Sequence, residues 1–241
     1  MSASMTSKIV LITGANQGIG FEIAKSLSSK PGYHVLLGSR DAHRGIKAAK
    51  DLKDQGLDVE PISIDVTSDD SLASAAHQIT SKFNRLDVLI NNAGVSLNEE
   101  NISGPVLRTS YHDTFAVNTF GAALTTEAFI PLLSASPTPR IVFMSSVTGS
   151  LTHRWGIPVD LPVYRSSKAA LNMLMLHYAF KFKDAGWKVN ASCPGYCATN
   201  LNDFAGMDTP ENGALNAVRL AMLGEDGETG TFTSKEGVIA W

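Results

Sequence analysis

The strongest constraint on how this chain folds is a regular alternation between short apolar runs and longer segments with helical periodicity. The apolar runs are rich in Val, Ile and Leu without polar alternation, which is typical of parallel strands covered on both faces. The predicted strands are residues 8–13, 33–38, 58–64, 86–91, 140–145 and 187–193. The predicted helices are residues 19–29, 42–55, 68–83, 110–133 and 164–185. Because strands alternate with helices, we predict an α/β fold with a doubly wound parallel sheet of about seven strands and helices on both faces.

Length and composition indicate one globular domain. The chain has 241 residues and a formal net charge of −3, with 44% hydrophobic and 18% charged residues. These values are ordinary for a chain that buries a sizeable core, and they exclude a disordered or fibrous protein. The slightly acidic balance provides no basic surface for nucleic acid or for an anionic membrane. Since no linker rich in Pro, Gly or Ser interrupts the pattern, we expect a single domain over residues 1–241.

The sequence favours a cytoplasmic protein. No uninterrupted apolar run approaches the roughly 20 residues that span a bilayer, and the polar N-terminus lacks the features of a signal peptide. Cys193 and Cys197 are the two cysteines, and the six histidines are scattered along the chain. A zinc site needs more ligands in register, so we expect no metal and two free thiols in a reducing compartment.

A glycine-rich turn lies between the first predicted strand and the first predicted helix, at residues 13–20. Glycines at such a turn allow the backbone to approach a pyrophosphate, which then lies at the positive end of the helix dipole. A glycine-rich turn alone is weak evidence, because turns use glycine in any case. Its position between strand and helix predicts a dinucleotide site. The residues expected to contact the cofactor here are Gly14, Asn16, Gln17, Gly18, Ile19 and Gly20.

The end of the second predicted strand carries Ser39 and Arg40, and Arg44 follows in the next helix. In a dinucleotide fold this position faces the adenosine ribose, where an acidic residue suits a free 2′-hydroxyl and an arginine suits a 2′-phosphate. We therefore favour NADP(H) over NAD(H). Gln17 adds no second positive charge in the glycine turn, and the adjacent Asp41 is interpreted as a helix N-cap.

Tyr164 and Lys168 are four residues apart at the start of a long predicted helix, so both project from one face. An ammonium group close to a phenol favours the phenolate, so we expect the pKa of Tyr164 to be lowered towards that of a general acid. Ser146 follows the fifth predicted strand and Asn91 ends the fourth, at the carboxyl edge where doubly wound sheets bind ligands. Asn118 lies within an apolar helix, where it is either a structural amide or part of the site.

Together these motifs resemble the classical short-chain dehydrogenase/reductase family, and the resemblance covers nearly the whole chain. The family's catalytic tetrad falls on Asn118, Ser146, Tyr164 and Lys168. The closer likeness is to NADPH-dependent carbonyl reductases, and it is carried by residues 39–45 and 230–241. The resemblance implies a Rossmann fold with the cofactor motifs mainly in residues 8–118 and the catalytic and substrate-loop part in residues 119–241. The chain after the Pro194-Gly195 turn then has room for a lid, one helix and a closing strand.

The resemblance also implies a role for each site residue. Tyr164 would protonate a carbonyl oxygen, Ser146 would hydrogen-bond that oxygen, and Lys168 would hold the nicotinamide ribose and lower the pKa of the tyrosine. Asn118 would position a water that links the lysine to solvent. Ser145, which precedes the active hydroxyl, is assigned to strand-end packing. The further cofactor contacts that it implies are Asp65, Val66, Asn91, Ala93, Gly94, Pro194, Gly195, Cys197 and Thr199.

Two departures from the family pattern concern the substrate side. The catalytic serine and tyrosine are 18 positions apart (164 minus 146), which is more than usual, and the extra residues lie at 151–162. In this loop, Trp155 or His153 either lines the pocket or belongs to a solvent-exposed loop. Cys197 stands where the family usually has a branched apolar residue, and it is small and apolar enough to substitute. The segment at residues 196–207 would supply a mainly apolar lid, which suits an apolar or aromatic carbonyl substrate. The expected pocket residues are Ser146, Trp155, Tyr164, Tyr196, Leu201 and Phe204.

The predicted helix at residues 164–185 has apolar side chains on two sides. Leu171 and Met175 share the side of the catalytic pair, which must face the sheet, whereas Met173 and Phe180 lie nearly opposite. A helix that is apolar on both sides is buried on both. We therefore predict a homodimer or homotetramer with this helix at a subunit interface.

Three other functions stay open at the level of the sequence. The same site can run in the oxidative direction, as an NAD(P)⁺-dependent alcohol dehydrogenase. A cofactor-binding regulator is disfavoured because the four catalytic positions are intact. A non-redox isomerase or cyclase on the same scaffold is excluded by no sequence feature.

Overall fold

The computed structural model describes residues 7–97, 99–153 and 160–241. The strands are β1 (Lys8–Ile12), β2 (Tyr33–Ser39), β3 (Val59–Ser63), β4 (Val88–Asn91), β5 (Arg140–Met144), β6 (Lys188–Ser192), β7 (Phe232–Ser234) and β8 (Gly237–Val238). They form one sheet in the order β3-β2-β1-β4-β5-β6-β7-β8. Strands β1 to β7 run parallel, with connections that place β1 and β4 side by side at the centre. The predicted α/β fold with a doubly wound parallel sheet is therefore confirmed.

The end of the chain differs from the single closing strand that we expected. Strand β7 is followed at once by β8, which pairs with it in the antiparallel direction. The two residues between them, Lys235 and Glu236, reverse the chain, and Gly237 takes a positive φ of 132° that side chains rarely adopt. The sheet therefore gains a short antiparallel edge strand beyond the predicted number.

The helices follow the predicted alternation. They are α1 (Gly18–Ser28), α2 (Ala42–Lys53), α3 (Asp69–Phe83), α4 (Gly104–Phe115), α5 (Ala122–Ser134), α6 (Pro162–Lys181) and α7 (Pro210–Ala221). The single regular helix predicted at residues 110–133 is wrong, because helix α4 begins earlier, at Gly104, and a π-helical turn at Ala116–Gly121 separates it from α5. Such turns are rare and often occur at functional sites, and this one contains Asn118.

Two apolar layers hold the helices on the sheet. On one face, α1, α2 and α7 pack against alternate strand residues such as Val10 and Ile12. On the other face, α3, α5 and α6 pack against the intervening residues, such as Ile9 and Leu11. Both sets are buried because successive strand side chains point to opposite faces of a sheet that helices cover on both sides. This packing fixes the strand ends from which the functional loops emerge.

Local capping confirms the interpretation of Asp41. Its side chain accepts a hydrogen bond from the Arg44 backbone N–H (3.0 Å) at the start of α2. Ser68 caps α3 in the same way, accepting from the Ser71 N–H at 3.2 Å. Such side-chain caps satisfy amides that have no partner within the helix.

By length and composition alone, one helical stretch within the described residues could cross a membrane. It is Gly104–Ser134, whose most apolar window has a mean hydropathy of 1.2. Half of that window is buried inside the fold, and Phe129, Leu132 and Leu133 belong to the core. A core helix passes the same test, so we interpret this stretch as part of the packed layer beside the sheet.

Candidate active site

A cleft of about 510 Å³ opens at the carboxyl edge of the sheet. Most of the predicted site residues line it, although they come from distant parts of the sequence. They are Gly14, Asn16, Gln17, Gly18, Ile19, Gly20, Ser39, Arg40, Arg44, Asp65, Val66, Ala93, Gly94, Ser146, Tyr164, Lys168, Pro194, Gly195, Tyr196, Cys197, Thr199 and Leu201. Open parallel sheets bind their ligands at this edge, because the loops that follow the strands converge there.

The glycine-rich turn requires its glycines for both conformation and space. Gly14 and Gly18 have positive φ values of 62° and 57°. A Cβ atom on Gly14 would lie 2.9 Å from the Ala93 Cα, and one on Gly20 would lie 2.4 Å from the Asn92 Nδ2. The turn therefore packs directly against the loop after β4, with no room for side chains between them.

The start of α1 is suited to an anionic group. Gln17 occupies the N-cap position, but its side chain makes no capping hydrogen bond, and no acidic residue lies in the first turn. The Gln17 side chain therefore leaves the first backbone amides of α1 uncapped at the positive end of the helix dipole, and Gly18, Ile19 and Gly20 of this turn line the cleft. The turn and the helix start thus fit the diphosphate of a dinucleotide.

Asn92 holds the glycine turn in place, and sequence reasoning missed it. Its Nδ2 donates to the carbonyl oxygens of Thr13 (2.8 Å) and Gly14 (3.1 Å). In return, the Thr13 hydroxyl accepts from the backbone N–H groups of Asn92 and Ala93, both at 3.0 Å. Asn91, the predicted contact, lies buried behind this edge instead, and donates to the Thr126 hydroxyl at 3.0 Å. Because side chains alternate along a strand, neighbouring asparagines at its end serve opposite faces, and this alternation could have identified Asn92.

The outer end of the cleft is basic. Arg40 and Arg44 are exposed and line it, and the Arg44 guanidinium donates a hydrogen bond to the Gln17 side chain. Gln17 adds no charge of its own, but it holds the Arg44 charge beside the glycine turn. Asp65 also lines the cleft, where burial works against its ionisation, but hydrogen bonds from Thr67 and the nearby Arg40 charge lower its pKa, so its carboxylate is ionised.

At the inner end, Ser146, Thr148 and Tyr164 bring three hydroxyl groups together. The Ser146 Oγ lies 2.8 Å from the Thr148 Oγ1, accepts from the Thr148 backbone N–H at 3.2 Å, and is close enough to the Tyr164 phenol to lower its pKa. Thr148 also lines the cleft, and the sequence reasoning did not select it. Ser145 is buried and donates to the Asn172 Oδ1 at 2.5 Å, away from this group. Of the two serines, Ser146 is therefore the one whose hydroxyl contacts Thr148, and the catalytic role expected for it stays a prediction.

The predicted lowering of the Tyr164 pKa is wrong. Although part of the side chain faces the cleft, burial raises the pKa of Tyr164 to about 12, and the nearby Ser146 hydroxyl offsets this only in part. Burial also lowers the pKa of Lys168 to about 8. The Lys168 Nζ donates to the Met144 carbonyl oxygen at 2.9 Å and lies 5.6 Å from the centre of the tyrosine ring. At neutral pH the phenol is therefore protonated, which is the form that a general acid requires.

Asn118 lies next to this group but is not among the cleft-lining residues. Its Oδ1 accepts from the Val95 N–H at 2.8 Å, and its Nδ2 donates to the Val95 carbonyl (2.9 Å) and the Ser167 hydroxyl (3.0 Å). The amide thus joins the loop after β4 to helix α6, which is the structural role considered for it. Its proposed part in positioning a water stays a prediction.

Of the three substrate-pocket residues predicted in the loop after β6, two line the cleft. Tyr196 and Leu201 line the cleft, whereas Phe204 does not line it and is 62% exposed. The sequence placed Phe204 in the pocket because the segment is apolar, but the chain turns there, with Asp203 and Phe204 both at positive φ. Trp155 lies outside the described residues.

The remaining predicted residues are His153 and the two cysteines, and several further residues line the cleft without having been predicted. His153 is exposed and does not line the cleft, which agrees with a solvent-facing position. Cys193 and Cys197 are free and buried, and the Cys193 Sγ accepts from the Val147 N–H at 3.2 Å. The cleft-lining residues that were not predicted are Asp41, Ile64, Asn92, Val95, Ser96, Val117, Met144, Ser145, Thr148, Leu161, Asn200 and Asn202.

Known proteins resemble this chain along nearly its whole length. The sequence model of the short chain dehydrogenase family matches residues 8–209. The short-chain dehydrogenase/reductase ATR10 of Stachybotrys chlorohalonatus is 43% identical, covering 96% of this chain and 89% of the relative. The structure of salutaridine reductase from Papaver somniferum matches with a TM-score of 0.82 and 29% identity, over 93% of this chain and 99% of that one. The NADPH-bound carbonyl reductase from chicken fatty liver matches with a TM-score of 0.84 and 25% identity, over 98% and 99% of the two chains.

Proposed function

Because the chain belongs to the short-chain dehydrogenase/reductase family, whose members use a nicotinamide cofactor, we propose that it is an NADPH-dependent reductase of ketones or aldehydes. The observation that carries the proposal is that Ser146, Tyr164 and Lys168 line one cleft with the glycine turn, with the Lys168 Nζ 5.6 Å from the centre of the Tyr164 ring. This arrangement provides a proton donor, a hydrogen-bond donor and a cation around one point.

The side chains divide the work of reducing a carbonyl group. A bound nicotinamide cofactor supplies the hydride to the carbonyl carbon. Tyr164 donates its phenolic proton to the carbonyl oxygen, and Ser146 donates a hydrogen bond to the same oxygen as negative charge develops there. The Lys168 ammonium then stabilises the phenolate until solvent returns the proton, and the product is an alcohol.

The preference for NADP(H) is supported by the basic outer end of the cleft. Arg40 follows β2 directly, and Arg44 is held beside the glycine turn by Gln17. The planar guanidinium groups suit the doubly charged 2′-phosphate of NADP(H). Asp41, the acidic residue next to Arg40 in the cleft wall, accepts a hydrogen bond from the Arg44 backbone N–H as the cap of α2. The chicken carbonyl reductase that resembles this chain has NADPH bound.

An apolar or aromatic carbonyl compound is the proposed substrate class. The cleft lining includes Val95, Leu161, Tyr196 and Leu201, which offer apolar surface. A pocket of this kind orients its substrate through few polar groups, here those of the catalytic pair. Both cysteines are buried free thiols, which is compatible with the reducing cytoplasm that we expect as its compartment.

The test is turnover of NADPH with a panel of aromatic ketones, aldehydes and quinones, followed by the loss of NADPH absorbance. Tyr164→Phe should lower turnover by about a hundredfold or more, because the proton donor is lost, while NADPH binding persists. Tyr111→Phe, at a half-exposed position on α4, serves as the matched control. Full turnover in the Tyr164 variant would refute the proton-donor role, and tight NADPH binding without turnover of any carbonyl would favour a regulator.

The same assay run with alcohols and NADP⁺ tests the oxidative direction. Tyr164 would then act as the base, and its raised pKa predicts that oxidation needs a more alkaline solution than reduction does. A higher catalytic efficiency for alcohols than for carbonyls at neutral pH would favour the dehydrogenase assignment.

We also propose a homodimer or homotetramer that covers the outer face of α6. Met173 and Phe180 on this helix are 67% and 83% exposed, while Leu171 and Met175 are buried as predicted. Helix α4 and the π-helical turn contact α6, and Val106 and Phe120 on them are 60% and 54% exposed. Exposed apolar side chains on helical elements that contact one another are typical of an interface. Light scattering at micromolar concentration should give a multiple of 25.7 kDa, and a monomer alone would refute this proposal.

A further inference from the structure

The helix that carries the catalytic tyrosine begins without a cap of its own. Helix α6 starts at Pro162, and Leu161 at the N-cap position has no side-chain acceptor to offer. The first backbone N–H groups of the helix therefore belong to Val163 and Tyr164, and they need an acceptor from elsewhere.

Glu99 supplies that acceptor from the loop between β4 and α4. Its Oε2 accepts from the Val163 N–H at 2.7 Å, and its Oε1 accepts from the Tyr164 N–H at 2.8 Å. Both oxygens are used, each on a different amide, and the two distances are typical of strong hydrogen bonds to a charged acceptor. The negative charge also lies at the positive end of the helix dipole.

This cap differs from the other side-chain caps in the distance it spans along the sequence. Helices α2, α3 and α7 are capped by Asp41, Ser68 and Thr209, each of which directly precedes its helix. Glu99 is 64 and 65 positions away from the residues that it contacts. Its loop begins with the Asn92 contact to the glycine turn and includes Val95 and Ser96 in the cleft wall. The hydrogen bonds of the Glu99 carboxylate therefore join the loop that contacts the glycine turn to the helix that carries Tyr164.

From these contacts we infer that Glu99 is a positioning residue for Tyr164 in the proposed reaction, and the inference rests on that proposed function. The carboxylate fixes the backbone of the tyrosine itself, so it determines where the phenol lies relative to Ser146 and Lys168. Small displacements of a reacting group are costly, and about 1 Å can lower a rate by about a hundredfold. The contacts of the carboxylate within the described part of the chain are to two backbone amides, so we assign it a role that acts through the tyrosine.

The test compares Glu99→Ala and Glu99→Gln with Glu211→Gln as the matched control. Glu211 lies in the first turn of α7, where it accepts from its own backbone N–H, on a helix that carries no residue of the proposed tetrad. We expect Glu99→Ala to lower kcat by about ten- to a hundredfold, with KM and the Kd for NADPH changed less than about threefold. Glu99→Gln keeps one acceptor oxygen and should retain an intermediate kcat. Glu211→Gln should lower the melting temperature without lowering kcat.

Hydrogen–deuterium exchange of the peptide that contains Val163 and Tyr164 gives a readout that does not depend on turnover. Glu99→Ala should speed exchange of these amides, because their acceptor is lost, and Glu211→Gln should not. Unchanged exchange in Glu99→Ala overturns the cap, and faster exchange with an unchanged kcat overturns the positioning role. If the wild type reduces no carbonyl on the panel, the proposed reductase function fails, whereas the exchange result still decides whether Glu99 holds the catalytic helix.

Discussion

Replacing Lys168 with methionine should abolish turnover and yet stabilise the ligand-free protein. Lys168 is 4% exposed, and burial lowers its pKa from 10.5 to about 8. At 1.36 kcal/mol for each pKa unit, a shift of 2.5 (10.5 minus 8) means that keeping the ammonium charged inside the fold costs about 3 kcal/mol at neutral pH. Met has a similar shape and carries no charge, so Lys168→Met removes this cost. It also removes the hydrogen bond to the Met144 carbonyl, worth about 1 kcal/mol, which leaves a net gain of about 2 kcal/mol.

The direction of the Lys168 pKa shift determines how the difference in stability between the wild type and Lys168→Met changes with pH. The pKa of Lys168 is lower in the folded chain than in the unfolded one, so between about pH 8 and pH 10.5 the unfolded chain binds more protons. The wild type therefore gains stability relative to the variant as the pH rises through this window. Between pH 7 and pH 9.5 the linkage relation gives a gain of about 2 kcal/mol, so the two proteins should become about equally stable at the higher pH.

Urea unfolding of both proteins at the two pH values measures the effect, and the difference between proteins cancels groups that titrate in both. Lys181→Met, at a half-exposed position at the end of the same helix, is the control for replacing a lysine of this helix with methionine. A variant that is less stable than the wild type at pH 7, or a difference that stays constant with pH, would refute the reasoning. A variant that is more stable but inactive would show that Lys168 serves activity, although its buried charge destabilises the fold.

Three further predictions concern the walls of the cleft. Asn92→Ala leaves the Thr13 and Gly14 carbonyls without their donor, so the free energy of unfolding should fall by about 1–3 kcal/mol and NADPH should bind more weakly; unchanged NADPH titrations and urea midpoints would contradict this. Thr148→Val keeps the shape but removes the hydroxyl that contacts Ser146, so kcat should fall about two- to tenfold in steady-state assays, and a wild-type kcat would count against it. Arg40→Asp should weaken NADPH binding far more than NADH binding, and equal effects on both Kd values would rule out the 2′-phosphate contact.

The central elements of the fold were predictable because their signals are local. Strands such as β1, β2 and β5 are continuous apolar runs, and each was predicted to within one or two residues at either end. The helix at residues 110–133 was predicted poorly because apolar periodicity does not reveal a π-helical turn. That turn coincides with the Asn118 amide bonding to Val95, a contact across 23 positions that no local pattern contains.

The candidate site, like the fold, was predictable in part from the sequence. The motifs and the family resemblance together identified most of the cleft residues, but the predicted Asn91 and Phe204 do not line the cleft. Asn91 and Asn92 are adjacent and chemically identical, and only the orientation of the strand end decides which one reaches the glycine turn. Phe204 has the composition of a lid residue, but its backbone turns the ring outward.

By itself, the sequence determined the kind of sheet, the family and the chemical groups available at its carboxyl edge, because these depend on residue type and on short spacings. Tertiary structure decided which groups meet and in what state. The pKa values of Tyr164 and Lys168 move in opposite directions because burial disfavours the charged form of each, and the extent of burial depends on the packing of distant segments. Glu99 reaches the catalytic helix for the same reason, since its partners are 64 and 65 positions away and only the folded chain brings them within hydrogen-bonding distance.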